Sequence, residues 1–191
     1  MGIKSSLSKI YAAIVDYQTQ KWVKRPVESQ EFWMKKIVDQ AKGTAFGRDH
    51  RFEDIQSYDD FKKNIPIRDY EDLKPYIDRV VAGQENILWP DKPLYLSKTS
   101  GTTSGVKYIP ITKDSIGNHI NSAKNALLAY IHETGKSDFL DNKLIFLSGS
   151  PELDKKSGIN TGRLSGISNH HVPAYLRTNQ LPSYDTNCID E

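Results

Sequence analysis

The sequence predicts an α/β fold in which helices pack on a β-sheet. Three observations support this prediction. The stretch between Thr112, a typical capping residue, and Gly135 carries apolar side chains at helical spacing and predicts a helix of about twenty residues. Short apolar runs at 94–96 and 108–111 predict two strands. Four consecutive apolar residues at 144–147 predict a further strand that is buried on both faces.

Two amphipathic helices are predicted at the start of the chain. The first covers residues 5–22 and the second covers residues 28–41, with Gly43 placed to end it. We expect each helix to bury one apolar face. These faces consist of Leu7, Ile10, Tyr11, Ile14 and Val15 in the first helix and of Phe32, Trp33, Ile37 and Val38 in the second.

Two shorter helices are predicted before the first strand. Ser57 is a typical N-terminal capping residue and indicates a short helix directly after it. Asp69 begins a further helical stretch that runs toward Val81 and tolerates or bends at Pro75. Gly83 is placed to end this stretch.

The strands at 94–96 and 108–111 are expected to form a hairpin that carries the segment between them. Pro110 has no amide N–H to donate to a neighbouring strand. We therefore expect the second strand of the hairpin to be an edge strand, or to end at this residue.

The last part of the chain gives fewer structural signals. Residues 148–151 predict a turn after the buried strand. Gly158, Gly162 and Gly166 then interrupt the chain without any periodicity. This pattern predicts a long irregular segment up to His170.

The segment inside the predicted hairpin is rich in serine, threonine and glycine and ends in a lysine. Glycines permit tight turns in which amide N–H groups point into one concavity, and hydroxyl and ammonium groups add donors. A Walker loop is excluded, because three residues separate Gly101 from Gly105 and Val106 precedes Lys107. We predict a phosphate-binding loop, with an ordinary Ser/Gly turn as the alternative. The candidate nucleotide phosphate-binding residues are Ser100, Gly101, Thr102, Thr103, Ser104, Gly105 and Lys107.

Five further residues are candidates for a substrate pocket. Ser148, Gly149 and Ser150 lie at the carboxyl end of the predicted buried strand, where ligands often approach open α/β sheets, and a plain turn is the alternative. Arg163 can face an anionic substrate or the solvent. His119 can border an acyl pocket or lie at the surface of the long helix.

No pattern predicts covalent catalysis or a metal site. The spacing yields neither a Ser-His-Asp nor a Cys-His arrangement, so the catalytic residues stay unassigned. His170 and His171 are adjacent, so in an extended chain their side chains point to opposite faces and cannot easily share a metal ion. We therefore predict no metal site.

Composition disfavours several classes of partner. The 26 Lys and Arg residues nearly balance the 24 Asp and Glu residues, and the charges are interspersed, so nucleic acid is not an expected partner. No hydrophobic run approaches the roughly 20 residues that cross a bilayer, so a membrane is not expected either. Cys188 is the single cysteine, which excludes an internal disulfide and agrees with a cytoplasmic location.

Four segments carry a family resemblance. The pattern Ser-Gly-Thr-Thr-x-Gly-x-Lys at 100–107 resembles the phosphate-binding loop of the acyl-adenylate-forming superfamily, which includes firefly luciferase, although Val106 stands where proline is usual. Segments 43–50, 65–77 and 83–88 lie upstream of it in order. Together the four segments resemble a bacterial-type member of the auxin-responsive acyl-acid amido synthetase family.

The resemblance implies that residues 1–191 form the N-terminal portion of the large ATP- and acyl-binding domain of an adenylate-forming enzyme, truncated and without the small C-terminal domain. Such a ligase uses ATP and Mg²⁺ to convert a carboxylic acid into an acyl-adenylate, which an amine or amino acid then converts into an amide. This chain would supply the phosphate-binding loop and is expected to be inactive alone. An acyl-CoA or acyl-protein synthetase, and a non-catalytic nucleotide-binding fragment, are the alternatives.

Overall fold

The computed structural model describes residues 2–99, 105–173 and 177–189. The chain divides into two compact units. The first unit contains Met1–Lys24, Asp114–Leu153 and Gly162–Glu191, and the second contains Arg25–Lys113 and Asp154–Thr161. Each unit therefore draws on segments that are distant in the sequence.

Helices and strands are both present in the described residues. The helices are α1 (Ile3–Val23), α2 (Pro26–Ala41), α3 (Ala45–Asp49), α4 (Tyr58–Asn64), α5 (Tyr70–Val81), α6 (Lys113–Thr134), α7 (Leu164–Asn169) and α8 (Tyr184–Asn187), with short 3-10 turns at Phe52–Asp54 and Asp138–Asp141. The strands are β1 (Tyr95–Lys98), β2 (Tyr108–Ile111), β3 (Leu144–Ile145), β4 (Asp154–Lys156), β5 (Ile159–Arg163) and β6 (Gln180–Leu181).

The second unit is built on a four-stranded sheet in the order β2-β1-β5-β4. Helices α3 and α5 pack on this sheet, which confirms the predicted α/β class. Leu96 from β1 and Ile159 from β5 are fully or almost fully buried against Ala45 of α3 and Val80 of α5. Burying side chains of this size is worth about 1.5–3 kcal/mol each.

The predicted start signals of α4 and α5 are confirmed, and both are capping boxes. The Ser57 hydroxyl accepts from the amide of Asp60, whose carboxylate accepts from the Ser57 amide. Asp69 and Asp72 make the same reciprocal pair at the start of α5. This arrangement satisfies amide groups that a helix start leaves without partners. Gly83, with φ +86°, follows the end of α5 as predicted.

The hairpin of β1 and β2 is confirmed, and β2 is the edge strand that Pro110 predicts. The amide of Thr99 donates to the carbonyl of Lys107 at 3.0 Å. Hydrogen-bonded and non-hydrogen-bonded pairs alternate along an antiparallel ladder. Pro110 pairs with Leu96 at a non-hydrogen-bonded position. Its ring nitrogen therefore faces away from β1, so the ladder loses no bond.

The predicted irregular segment after residue 150 is wrong. Residues 154–163 form the β4–β5 hairpin, and α7 follows directly. Ser157 and Gly158 both have positive φ, at 49° and 80°, which is the geometry of the two-residue turn that suits the twist of a hairpin. Sequence analysis treated Gly158 as an interruption, although Ser-Gly is a hairpin turn signal.

The first unit has its core between α1 and α6. Ala12 and Val15 pack with Leu128, Ile131 and Leu140. The long helix that the sequence predicts after Thr112 is confirmed, and Gly135 follows its end with φ +67°.

The predicted apolar face of α1 is wrong except for Val15. Leu7 and Ile10 are 61% and 64% exposed, whereas Ser5 and Ala12 on the opposite side are buried. Small side chains permit a close approach, and the Ser5 hydroxyl lies 2.6 Å from that of Ser137. A pattern that weights large apolar residues therefore selects the wrong face. The other predicted face residues, Tyr11 and Ile14, are also exposed.

In α2 the prediction fails in a similar way. Of its predicted face only Val38 is buried, beside Ala41, while Phe32, Trp33 and Ile37 are exposed. The helix ends at Ala41 as predicted. Gly43 does not adopt a positive φ, and the amide and hydroxyl of Thr44 instead donate to the Ala41 carbonyl at 2.9 and 2.7 Å.

The prediction of a strand buried on both faces at 144–147 is also wrong. Only Leu144 and Ile145 form β3, which pairs in parallel with β6. Ile145 and Leu147 are 75% and 83% exposed. A sheet of two strands has too few neighbours to cover both of its faces.

Candidate functional site

The candidate phosphate-binding segment connects β1 and β2 in the sequence, and we call it the hairpin tip. Ser100, Gly101, Thr102, Thr103 and Ser104 lie outside the described residues. Of the predicted set, Gly105 and Lys107 are described. Gly105 has φ +81°, a conformation that L side chains rarely adopt, and no atom lies within 4 Å of where its Cβ would stand. The backbone conformation therefore favours glycine at position 105, although there is room for a larger side chain.

Lys107 lies where the tip returns to β2. Its ammonium group stands 5.0 Å from the centre of the Tyr70 ring and 4.0 Å from the carboxylate of Glu71. Its side chain keeps a third of its surface exposed. Lys107 is thus held by the first turn of α5 and remains accessible to a phosphate group.

Tyr70 also holds the backbone of β2. Lys98 and Tyr108 form a non-hydrogen-bonded pair by the alternation described above, so the Tyr108 amide points away from β1. This amide donates to the Tyr70 hydroxyl at 2.9 Å. Sequence analysis missed Tyr70. The available signal was a tyrosine at the first position of a capped helix inside segment 65–77.

Two further lysines surround the base of the hairpin tip. Lys98 forms an ion pair with Asp154 at 2.5 Å, and Lys156 donates to the Tyr108 hydroxyl at 3.1 Å and lies over the same ring. Of these three lysines, Lys98 and Lys107 are each paired with a carboxylate, and Lys156 contacts a tyrosine.

Segment 43–50 forms a packed turn around α3. The Thr44 hydroxyl accepts from the Gly47 amide at 3.0 Å. A Cβ on Gly47 would lie 2.2 Å from the carbonyl oxygen of Ala41. Glycine is therefore required for the close contact between α3 and the end of α2. These contacts give segment 43–50 a structural role in joining α2 and α3.

The end of segment 43–50 is hydrogen-bonded to α5 and to Arg68, which lies just before α5. Arg68 donates to Nε2 of the buried His50 at 3.0 Å. Because a guanidinium group can only donate, Nε2 is the acceptor and the ring proton lies on Nδ1. Nδ1 donates this proton to the carbonyl of Phe46. The Tyr76 hydroxyl donates to Asp49 at 2.8 Å. Burial, and then this hydrogen bond, raise the pKa of Tyr76.

Four of the predicted pocket residues lie together in the first unit. The Gly149 amide donates to the Ser165 hydroxyl at 2.9 Å, and a Cβ on Gly149 would lie 2.7 Å from Cδ of Arg163. Ser148 and Ser150 flank this contact, and the Ser148 hydroxyl is a buried group without a hydrogen-bond partner. Their role in a substrate pocket stays a prediction. The close contact with the Arg163 side chain explains why a glycine stands at position 149.

His119 is an exposed residue of α6. No hydrogen bond or ion pair joins it to the described residues of the loop at 148–150. Its surface position agrees with the alternative that the sequence left open, and its role at an acyl pocket stays a prediction.

Two findings concern metals and membranes. Within residues 2–99, 105–173 and 177–189, no three His, Cys, Asp or Glu side chains are grouped closely enough to hold a metal ion. No helix in that part of the chain combines the length and the apolar character that crossing a bilayer requires.

His170 contacts the carbonyl of Pro151 through Nε2. Burial, followed by the charges of His170 and Arg177, lowers the pKa of His171.

Comparison with known proteins identifies the family. Residues 17–188 match the model of the GH3 family N-terminal domain, which covers most of the chain. The chain belongs to the GH3 family. Its curated relatives in this family are plant amido synthetases.

Three relatives illustrate the relationship. An indole-3-acetic acid-amido synthetase, GH3.15 of Arabidopsis thaliana, is 32% identical over 136 residues, which are 66% of this chain and 22% of the relative. The jasmonoyl–L-amino acid synthetase JAR4 of Nicotiana attenuata is 26% identical and is covered over 23% of its length. A 4-substituted benzoates-glutamate ligase, GH3.12 of A. thaliana, is 47% identical over 45 residues. The chain thus spans less than a quarter of the length of these GH3 relatives.

Solved structures of GH3.15 acyl acid amido synthetase share the fold. One has a TM-score of 0.65 at 21% identity and covers 85% of this chain and 28% of its own. Another, in complex with 2,4-DB, has a TM-score of 0.67 at 20% identity, with 100% of this chain and 33% of its own covered. At this identity the likeness concerns the fold, and it supports the arrangement of helices and sheet described above.

Proposed function

We propose that this chain is the part of an ATP-dependent acyl-acid amido synthetase that carries the phosphate-binding loop. The observation that carries the proposal is the match of residues 17–188 to the GH3 N-terminal domain, a stretch that contains the β1–β2 hairpin. Gly105, in its left-handed conformation, and Lys107, whose side chain is one third exposed, fit a loop that binds phosphate oxygens. The wider adenylate-forming superfamily and the bacterial-type branch rest on the sequence resemblance alone.

The proposed reaction has two steps. A carboxylate oxygen of the acid attacks the α-phosphorus of ATP, the bond to the β-phosphate oxygen breaks, and pyrophosphate leaves with the electron pair. The nitrogen of an amine or amino acid then attacks the acyl carbon, the bond from that carbon to the AMP oxygen breaks, AMP leaves with the electron pair, and the nitrogen loses a proton to solvent as the amide forms. Both steps depend on positioning and on donors that stabilise phosphate charge. In this chain the tip of the hairpin and Lys107 would stabilise the charge that develops on pyrophosphate.

Mg²⁺ is expected to accompany ATP. Magnesium in nucleotide sites usually keeps several waters and takes one or two carboxylates besides the phosphates. The carboxylates of the described residues near the hairpin tip, Glu71 and Asp154, are each engaged with a lysine. They therefore do not fit a magnesium site as they stand.

The test is calorimetric titration of the 191-residue chain with magnesium-ATP and, separately, with pyrophosphate. The Gly101→Val and Thr102→Ala double variant tests the loop. The matched control is Gly117→Ala, which also alters a glycine but lies in α6, where no atom is within 4 Å of the added Cβ. We expect wild type and control to bind and the double variant to lose binding. Binding that survives in the double variant, with circular dichroism confirming folded samples, would contradict the proposal.

Product analysis separates amide formation from the alternatives. A full-length protein that contains this chain would be supplied with ATP, aryl or alkyl carboxylic acids and either amino acids or CoA. Pyrophosphate release with an amide product supports the proposal. Consumption of CoA without an amide would favour an acyl-CoA synthetase, and nucleotide binding without pyrophosphate release would favour a non-catalytic module. We also propose a cytoplasmic location, on the basis of the single Cys188.

A further inference from the structure

We propose that Tyr70 is a positioning residue for phosphate binding, because its hydroxyl holds the start of β2 and thereby the ammonium group of Lys107. This inference rests on the proposed function of the hairpin tip as a phosphate-binding loop. It assigns a role to segment 65–77, which the sequence singles out and which the reaction chemistry does not otherwise use.

The outward amide of Tyr108 has an unusual partner for an edge strand. Edge strands present N–H groups that have no neighbouring strand. At Tyr108 this outward amide donates to the Tyr70 hydroxyl at 2.9 Å, and the same hydroxyl lies 3.5 Å from the Tyr108 carbonyl. The backbone of the residue that follows Lys107 is therefore fixed by a side chain of α5 and not by solvent.

The Tyr70 side chain also contacts Lys107 itself. The Lys107 ammonium group lies 5.0 Å from the centre of the Tyr70 ring, within the range of a cation–π interaction. Glu71, the next residue of α5, lies 4.0 Å from that ammonium group. Backbone and side chain are thus held at two points by one turn of one helix.

The first turn of α5 is itself stabilised by hydrogen bonds. Tyr70 is the first residue of α5, and the reciprocal hydrogen bonds of Asp69 and Asp72 close the capping box around it. On the opposite side, Lys156 donates to the Tyr108 hydroxyl at 3.1 Å. Since a displacement of about 1 Å can cost two orders of magnitude in a positioned reaction, a fixed anchor at this place affects function.

The chain supplies a matched control for the test. Tyr58 is the first residue of α4, follows a capping box with aspartate at the same position, and has the Lys62 ammonium group 4.9 Å from its ring centre. Among the described residues, however, no hydrogen bond to the Tyr58 hydroxyl is present. Tyr70→Phe and Tyr58→Phe therefore remove the same atom from the same helical position, and only Tyr70→Phe removes the bond to β2.

The experiment compares wild type, Tyr70→Phe and Tyr58→Phe by three measurements. These are the dissociation constant for pyrophosphate by calorimetry at 25 °C, the melting temperature, and the NMR amide exchange rates of Tyr108 and Thr99. We expect Tyr70→Phe to bind pyrophosphate about fivefold more weakly and to exchange the Tyr108 amide about fivefold faster, the ratio for one ordinary hydrogen bond. Tyr58→Phe is expected to match wild type in all three measurements.

Each outcome decides the proposal. If wild type binds pyrophosphate and Tyr70→Phe binds equally well, the positioning role is wrong while the proposed function stands, even if the melting temperature falls. If wild type binds neither pyrophosphate nor ATP, the phosphate-binding function of this chain fails. Whether Tyr70 fixes the backbone at the base of the hairpin is then decided by the Thr99 amide, which donates to the Lys107 carbonyl. Faster exchange of the Thr99 amide in Tyr70→Phe but not in Tyr58→Phe supports this anchoring. Equal Thr99 exchange rates in the two variants overturn it.

Discussion

Replacing Gly47 with alanine is expected to destabilise the second unit, although Gly47 lies in a helix where alanine is normally preferred by about 0.5–1 kcal/mol. The added Cβ would lie 2.2 Å from the Ala41 carbonyl oxygen and 2.9 Å from the Cα of Lys42. Both atoms belong to the backbone, so no side-chain rotation relieves the contact. Overpacking of this kind costs about 1–3 kcal/mol, and we expect a net loss in that range.

The assay is urea unfolding followed by tryptophan fluorescence, because Trp89 packs against the cluster formed by α2 and the Phe52–Asp54 turn. Gly43→Ala is the matched control: it lies in the same segment, has no positive φ, and has no atom within 4 Å of the added Cβ. It should leave stability unchanged or raise it by about 0.4–1 kcal/mol. Equal unfolding midpoints for the two variants at equal slopes would refute the close-contact argument.

Three further predictions concern single residues. Gly117→Ala, in an exposed part of α6 with open space around it, should raise the urea midpoint and stabilise the chain by about 0.5–1 kcal/mol, and a lower midpoint would contradict this. The pKa of Tyr76 in the folded protein is raised by burial and by Asp49. Its contribution to the free energy of unfolding is therefore fully present below the ordinary tyrosine pKa of about 10, and it is lost as the pH rises through the pKa of Tyr76 in the folded protein. Tyr76→Phe should therefore show a smaller fall in melting temperature at alkaline pH, and equal falls would refute the linkage. The pKa of His171 is lowered, first by burial, so its contribution is present above the ordinary value and is lost as pH falls through the folded value. His171→Gln should lose less stability on acidification, and identical acid profiles would count against this assignment.

The sequence was most informative where a local signal determines local structure. Ser57 and Asp69 predict helix starts because their side chains bond amides three residues away, and both capping boxes are present. Pro110 predicts an edge strand because it lacks a donor, and β2 is such a strand. These features depend on neighbours along the chain, so no tertiary information is needed to predict them.

Prediction failed where burial depends on distant segments. The large apolar residues of α1 are exposed, whereas Ser5 and Ala12 are buried, because α1 lies close to the turn at Asp138–Asp141 and small side chains permit that approach. The run at 144–147 reads as a buried strand, yet β3 has one partner and Leu147 is 83% exposed. Periodicity identifies apolar faces, and it does not indicate which face finds a neighbour.

The candidate site contains one feature that the sequence predicts and one that it does not. Composition and resemblance select the hairpin tip, since Gly105 and Lys107 are residues of a phosphate-binding pattern. They do not select Tyr70, which is 38 residues from Tyr108 in the sequence and meets it only because α5 packs against the edge of the sheet. The chemistry of a phosphate site is therefore visible in a short motif, whereas the side chain that fixes its position is visible only after the fold is known. If Tyr70→Phe weakens pyrophosphate binding, segment 65–77 marks this family through its support of the loop and not through contact with the substrate.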